Sequence, residues 1–240
     1  MTSGRDPFYR RRLVGRLSRY RVQLLVLLGL VVGAALVWVV YFSAVLGVHR
    51  VEVDGTTLLT AQQVEAAAAV PAGTALASID LGEVAERVRS LDPVADVRVE
   101  RLWPRGLSIV VTERRSVAVV RQAGVLSGMD SEGVLFRTYD AAPDHLPLVD
   151  AEDLDATGRD EALAEVATAL AALDADVASR VDHVEVASRD AIVLVLGGGD
   201  RVTWGSAEES ELKGQVLTAL LEQKASAYDV SVPGQPTTRP

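Results

Sequence analysis

The 240-residue chain has no cysteine, only three histidines, and few aromatics: three Trp, three Phe and five Tyr. Without cysteine there are no disulfides, no thiolate nucleophile and no cysteine-ligated metal. The lack leaves the cellular compartment open. With few aromatics, the core falls to alanine, valine and leucine. Apolar residues make up 49% of the chain, so a packed core is expected rather than disorder. Positive charge is scarce overall. The net charge is −9, which argues against a nucleic-acid-binding body, since that needs cations to displace phosphate counterions.

The charge is unevenly placed. Arg5, Arg10, Arg11, Arg12, Arg16, Arg19 and Arg21 face only Asp6, so residues 1–21 carry about +6 and the rest about −15. From Leu24 to Leu46 there is no charge at all. At about 1.5 Å per residue this run crosses a hydrocarbon core of about 30 Å. Residues 22–46 are therefore expected to be a transmembrane helix, with 1–21 as a basic cytoplasmic tail. The arginines precede the helix, so the positive-inside rule places the N-terminus in the cytoplasm and the remainder outside. The apolar run is too long for a signal peptide, and no small-residue cleavage site follows it. Arg11-Arg12 does not change that reading. Gly29 and Gly33 stand four apart, a spacing that suits helix packing, although glycine is common in membrane helices for other reasons. Trp38 and Tyr41 suit an outer interfacial belt.

Beyond the membrane the hydrophobic period alternates between 2 and 3.6. Val48–Val53 reads as a strand ended by Asp54-Gly55. Thr60 with Gln63 opens a helix through Ala69, and Asp80 with Glu83 opens a second. Val94–Arg101, the turn Trp103-Pro104-Arg105-Gly106, and Leu107–Thr112 complete β-α-α-β-β. The expected class is α+β: one membrane helix, a compact domain at 47–115, and a mixed sheet domain with two helices at 116–232. In the second domain, strands are expected at Ser116–Arg121, Gly124–Met129 and Val134–Phe136. Ala141–Asp155 reads as a loop and Asp160–Leu173 as a helix. Strands follow at Val181–Val186, Ala191–Leu196 and Arg201–Trp204. Glu208–Ala225 reads as a helix with Leu212, Val216, Leu217, Leu220 and Leu221 on its apolar side. Tyr228–Val232 is the last strand, and 233–240 is expected to lack order.

No catalytic constellation emerges. His49, His145 and His183 are far apart and not at metal-ligand spacing. Gly197-Gly198-Gly199-Asp200 lacks the lysine of a phosphate loop and lies between strands, so it reads as a hairpin turn. No Gly-x-Ser-x-Gly elbow is present. Glu208, Glu209 and Glu211 suit the first turn of a helix. No metal, cofactor or small-molecule substrate is expected.

Several motifs in series resemble one family. They are Val51-x-Val53-x-Gly55, then Gly73-Thr74 with Ile79-Asp80, then Leu91-Asp92-Pro93-Val94 running on to Arg101-x-Trp103-Pro104. Ile109-x-Val111-x-Glu113-Arg114-Arg115 follows, then Asp130-x-x-Gly133-Val134-Leu135-Phe136, Leu146-Pro147, and Tyr228-Asp229-Val230-Ser231-Val232-Pro233. Together they resemble the FtsQ/DivIB bacterial cell-division family, whose first extracytoplasmic unit is a POTRA domain. Ser116 stands where the family commonly has proline, and the triple glycine is not a family feature. The resemblance implies a non-enzymatic scaffold concentrated at the division septum. It also implies FtsB- and FtsL-type bitopic division proteins as partners, with septal peptidoglycan synthase components as further candidates. The competing expectation is a POTRA-bearing envelope secretion or assembly component; no repeated unit or barrel-length series of strands supports it.

The sequence also suggests how a partner would bind. A late strand is often a sheet edge with free N–H and C=O groups, which a partner can extend. Tyr228, Val230 and Val232 would then face one side, Asp229 and Ser231 the other. Tyr228 is the expected anchor, against the alternative that it fills the core of its own sheet.

Overall fold

The structure, a computed structural model, describes residues 8–42, 46–152, 154 and 157–240, with backbone alone for 8–19 and 42. Arg5 and Asp6 of the basic tail lie outside the described residues. Helix α1 runs Phe8–Phe42. Its stretch Tyr20–Tyr41 spans 22 residues at mean hydropathy 2.7 with none of it buried, long and apolar enough to cross a membrane.

The first unit contains β1 (Arg50–Asp54), α2 (Ala61–Ala68), a 3-10 turn at Leu76–Ser78, α3 (Leu81–Arg89), β2 (Val94–Leu102) and β3 (Gly106–Glu113). The three strands order β1-β3-β2, with β1 parallel to β3. Local chemistry sets these boundaries. The Thr60 hydroxyl accepts from Gln63 N, and the Gln63 side chain accepts from Thr60 N at 2.8 Å, the expected capping box. Asp80 Oδ1 accepts from Gly82 N at 2.9 Å and Glu83 N at 3.1 Å, starting α3. Ala69, at φ 48°, ends α2. The exposed end of that helix is then satisfied by Arg87 of α3, which donates to Ala68 O at 3.0 and 2.7 Å. Arg101 acts similarly, donating to Leu76 O at 2.9 Å and Ile79 O at 2.6 Å. That ties the 3-10 turn to β2. Val64, Leu76, Val84, Val88, Leu107 and Ile109 form the core, each 1% exposed or less.

The second unit holds a nine-stranded mixed sheet, ordered β12-β11-β10-β9-β8-β7-β4-β5-β6. Its strands are β4 (Ala118–Gln122), β5 (Val125–Met129), β6 (Leu135–Tyr139), β7 (Leu148–Asp150), β8 (Val181–Ser188), β9 (Ala191–Leu196), β10 (Arg201–Gly205), β11 (Ala227–Asp229) and β12 (Thr237–Arg239). Its helices are α4 (Arg159–Ala171), α5 (Ala175–Ala178) and α6 (Ser210–Leu220). Leu163 and Val166 of α4 and Leu217 of α6 share one apolar cluster with Val184, Ile192, Leu194, Val202 and Trp204. The Trp204 indole N–H donates to Ser210 Oγ at 3.2 Å, and that hydroxyl donates to Ala207 O at 2.7 Å, so the deepest aromatic buries no unpaired donor.

Four expectations need correction. The region read as the loop Ala141–Asp155 contains β7, which pairs parallel with both β4 and β8 and so joins the two halves of the sheet. Three residues after a proline are too few for a visible period. Helix α5 adds a third helix to the two expected; at four residues it is equally hard to see. Helix α6 is shorter than Glu208–Ala225, and its buried face is Ser210, Lys213, Gly214 and Leu217. Leu212, expected inside, is 44% exposed. Finally, residues 233–240 are not without order, because they carry β12.

Candidate functional site

The site the sequence points to lies at the β12 end of the sheet. Strand β11 is shorter than Tyr228–Val232, and the cause is local. The Asp229 carboxylate accepts from Ser231 N at 3.0 Å and from Ser231 Oγ at 2.6 Å. That side-chain turn bends the chain out of the strand. Val232 O then accepts from Gln235 N at 2.9 Å, and the chain returns as β12.

Tyr228 and Val230 face the core, at 3% and 0% exposure. The Tyr228 hydroxyl donates to Gln223 O at 2.9 Å. Tyr228 therefore holds β11 against its own sheet. Asp229 and Ser231 are half-buried and occupied with each other. Val232, expected on the face of Tyr228, is instead 60% exposed, because the turn takes it out of the alternation.

Nor is β11 an open edge. It pairs parallel with β10 (Val202 opposite Tyr228) and antiparallel with β12 (Tyr228 opposite Thr238). Arg201 N donates to Ser226 O and Val230 N donates to Thr203 O, both at 3.0 Å. Backbone groups alternate sides along a strand, so Tyr228 exchanges with β10, while Ala227 and Asp229 face β12. Ser226 N donates to Arg239 O at 2.8 Å, which fixes Arg239 toward β11. By the same alternation the N–H and C=O of Thr238 point away from the sheet. Thr237, Thr238 and Arg239 are all exposed. Thr238 is thus the open position that sequence reasoning placed on β11. Nothing in the polar segment Thr237-Thr238-Arg239 marks it as a strand.

The neighbouring sheet surface is charged. Arg201 of β10 donates to both oxygens of Glu185 on β8, at 2.9 and 2.5 Å. The Arg201 hydrogen bond holds the Glu185 carboxyl below its ordinary range. Both side chains are substantially exposed, so the pair contributes about 0–1 kcal/mol. Chemistry elsewhere is sparse. Among the described residues no group of three or more His, Asp and Glu could hold a metal ion. His183 Nδ1 lies 2.8 Å from Asp182 and His49 Nδ1 lies 2.8 Å from Gly47 O, at separate places. Gly197–Gly199 form the turn between β9 and β10, with Gly199 at φ 86°.

Comparison with known proteins decides the family. Residues 46–114 match the family profile "POTRA domain, FtsQ-type", and residues 118–232 match "Cell division protein FtsQ/DivIB, C-terminal". The chain belongs to the FtsQ/DivIB family. It is 40% identical to the cell division protein FtsQ of Streptomyces bingchenggensis, over 95% of this chain and 88% of that one. It is 41% identical to FtsQ of Streptomyces griseus, over 81% of this chain and 97% of that one. A solved extracytoplasmic domain of the division protein DivIB from Geobacillus stearothermophilus matches 47% of this chain and 98% of its own, at 20% identity and TM-score 0.34. The two matched profiles give an FtsQ-type POTRA unit followed by an FtsQ/DivIB C-terminal unit, and with its apolar helix the chain is a membrane-anchored division protein. The FtsQ/DivIB family is one of division scaffolds.

Proposed function

We propose that this protein is a non-enzymatic divisome scaffold whose β12 edge receives a strand from another bitopic division protein. FtsB- and FtsL-type proteins are the partners this reading names, and control of septal cell-wall synthesis is the purpose of the complex. The N-terminus is cytoplasmic, the sheet units are extracytoplasmic, and the protein concentrates at the septum. The observation that carries the reading is the outward N–H and C=O of Thr238 on an exposed edge strand, the arrangement that β-augmentation uses. The originally expected residues, Tyr228, Asp229, Val230, Ser231 and Val232, support that edge from beneath and from its turn. In α1, Gly29 and Gly33 stand four residues apart on an unburied helix, the small-residue spacing that lets a partner helix approach closely. Replacing α1 with an unrelated apolar helix tests that part; full function after the swap makes the helix a plain anchor.

Two proline substitutions separate edge from core. Thr238→Pro removes the outward donor and leaves the β11 pairing in place. It is expected to weaken partner binding at least about fivefold, one hydrogen bond's worth, at unchanged melting temperature. Val230→Pro instead removes the bond to Thr203 O and is expected to cost about 1–3 kcal/mol of stability. Melting curves paired with binding curves check both. In cells, depletion is expected to give long or branched cells with missing septa, rescued by wild-type protein and not by Thr238→Pro. Normal septation at verified depletion would instead favour the secretion or assembly reading.

A further inference from the structure

Arg101 and Trp103 belong to one motif, and Arg101 ties β2 to the 3-10 turn. Trp103 is 57% exposed at the tip of the turn between β2 and β3. The amphipathic indole ring favours the boundary between membrane and water.

The turn's position follows from its hydrogen bonds. The uncharged run that begins after Arg21 continues to Val48, and His49 is the first ionisable residue after it. His49 N donates to Arg105 O at 3.0 Å, inside the Trp103 turn. Val48 N donates to Thr74 O, and Gly73 N donates to Val48 O, both at 2.9 Å. The point where the chain leaves its apolar span is therefore clasped by two loops, residues 70–75 and 102–106. Because β1 runs parallel to β3, Arg50 opposite Gly106 marks the near end of their pairing and Asp54 opposite Val110 the far end. At about 3.3 Å per residue, the ends lie about 13 Å apart.

Charge agrees with position. In a chain with 33 Asp and Glu, residues 46–49, 70–75 and 102–106 contain none. Arg105 is the only formally charged residue among them. Glu52, paired with Arg50 at 3.0 Å, and Glu100 stand further along β1 and β2.

We propose that the Trp103 turn is a membrane-surface anchor: the indole lies among the headgroups of the leaflet the chain has just left, with Arg105 toward anionic lipid. The site would hold the first unit at a fixed height and tilt over the bilayer. This rests on Tyr20–Tyr41 spanning the membrane.

The test uses the full chain with Trp38→Phe, reconstituted into phosphatidylcholine/phosphatidylglycerol vesicles carrying brominated acyl chains. Trp204 is buried, so the Trp103 signal is the difference from the Trp38→Phe/Trp103→Phe protein. The expected result is stronger quenching by bromines near the headgroup than by bromines at the chain ends, with protection from aqueous iodide. Arg105→Glu is expected to weaken that quenching in anionic vesicles and to leave it unchanged in phosphatidylcholine alone. Protein that floats with the vesicles, yet whose Trp103 is open to iodide and indifferent to brominated lipid, would overturn the anchor and leave the turn to a protein partner. Protein that does not float would overturn the membrane-spanning reading along with it.

Discussion

Asp130→Ala is expected to destabilise the sheet unit by about 3–5 kcal/mol, because it removes the buried partner of the Arg114 cation and leaves it only the 74% exposed carboxylate of Glu132 at 3.3 Å. The Arg114 side chain is 17% exposed and the Asp130 side chain 7%. Arg114 Nη1 donates to Asp130 Oδ2, and Arg114 Nε is buried with no acceptor among the described residues. Asp130 Oδ1 also accepts from Glu132 N and Val134 N, each at 2.9 Å, and so shapes the turn between β5 and β6. Arg114→Met with Asp130→Asn is expected to lose less than Asp130→Ala alone, since no charge is then left unpaired. The pair also sets a pH dependence. Burial pushes the Asp130 carboxyl up, but the Arg114 hydrogen bond and the two backbone donors outweigh it and hold it below the ordinary 3.8. A lowered folded pKa means the unfolded state binds the proton first. The contribution is therefore present above about pH 3.8 and is lost as pH falls through the lower folded value. Denaturant titrations of wild type and Asp130→Asn between pH 2 and pH 7 check this. The wild-type advantage should shrink only at the acid end.

Gly133→Ala is expected to cost about 4 kcal/mol or more, well beyond an ordinary surface change. Gly133 sits at φ +85°, in the left-handed region. An added Cβ would lie 2.5 Å from Ala164 N and 2.7 Å from Ala164 Cα. Both atoms are backbone of α4, so the helix itself would have to move, and backbone strain adds about 1–3 kcal/mol. Gly124→Ala is the control. Its φ is +74° but open space surrounds it, so only the strain is expected. Thermal melts of the two variants separate strain from collision.

These two predictions give physical content to the Asp130-x-x-Gly133 motif, which the sequence presents only as a hairpin. Where one residue type has one job, the sequence was readable: Thr60 with Gln63, Asp80 before α3, the glycines between β9 and β10. It was not readable where the deciding interaction is distant or a side chain acts against type. Lys213 reads as a polar residue, yet it is 2% exposed and donates to Ser206 O at 2.9 Å. Burial lowers its pKa, although Glu208, Glu209 and Glu165 pull the other way. Gly214 beside it brings α6 so close to Ala172 O that a Cβ would lie 2.2 Å away. Together they turn the buried face of α6 away from Leu212. The candidate site shows the same pattern. The late strand β11 does lie next to the end of the sheet, but β12, not β11, is the edge. Asp229 ends β11 early by capping Ser231, and a polar tripeptide then pairs as β12 because β11 offers it a ladder. Tyr228 is aromatic, which suits a buried position in its own sheet as well as it suits a contact surface, and the fold places it at 3% exposure.

The most direct test is a binding titration of the reconstituted full chain with the extracytoplasmic segment of an FtsB-type partner. Wild type, Thr238→Pro and a truncation after Gln235 are compared. Saturable binding is expected for wild type, with at least about fivefold weaker binding to Thr238→Pro and greater loss when β12 is absent. Equal affinity for all three proteins, each folded by its melting curve, would contradict the β12 edge as the docking site.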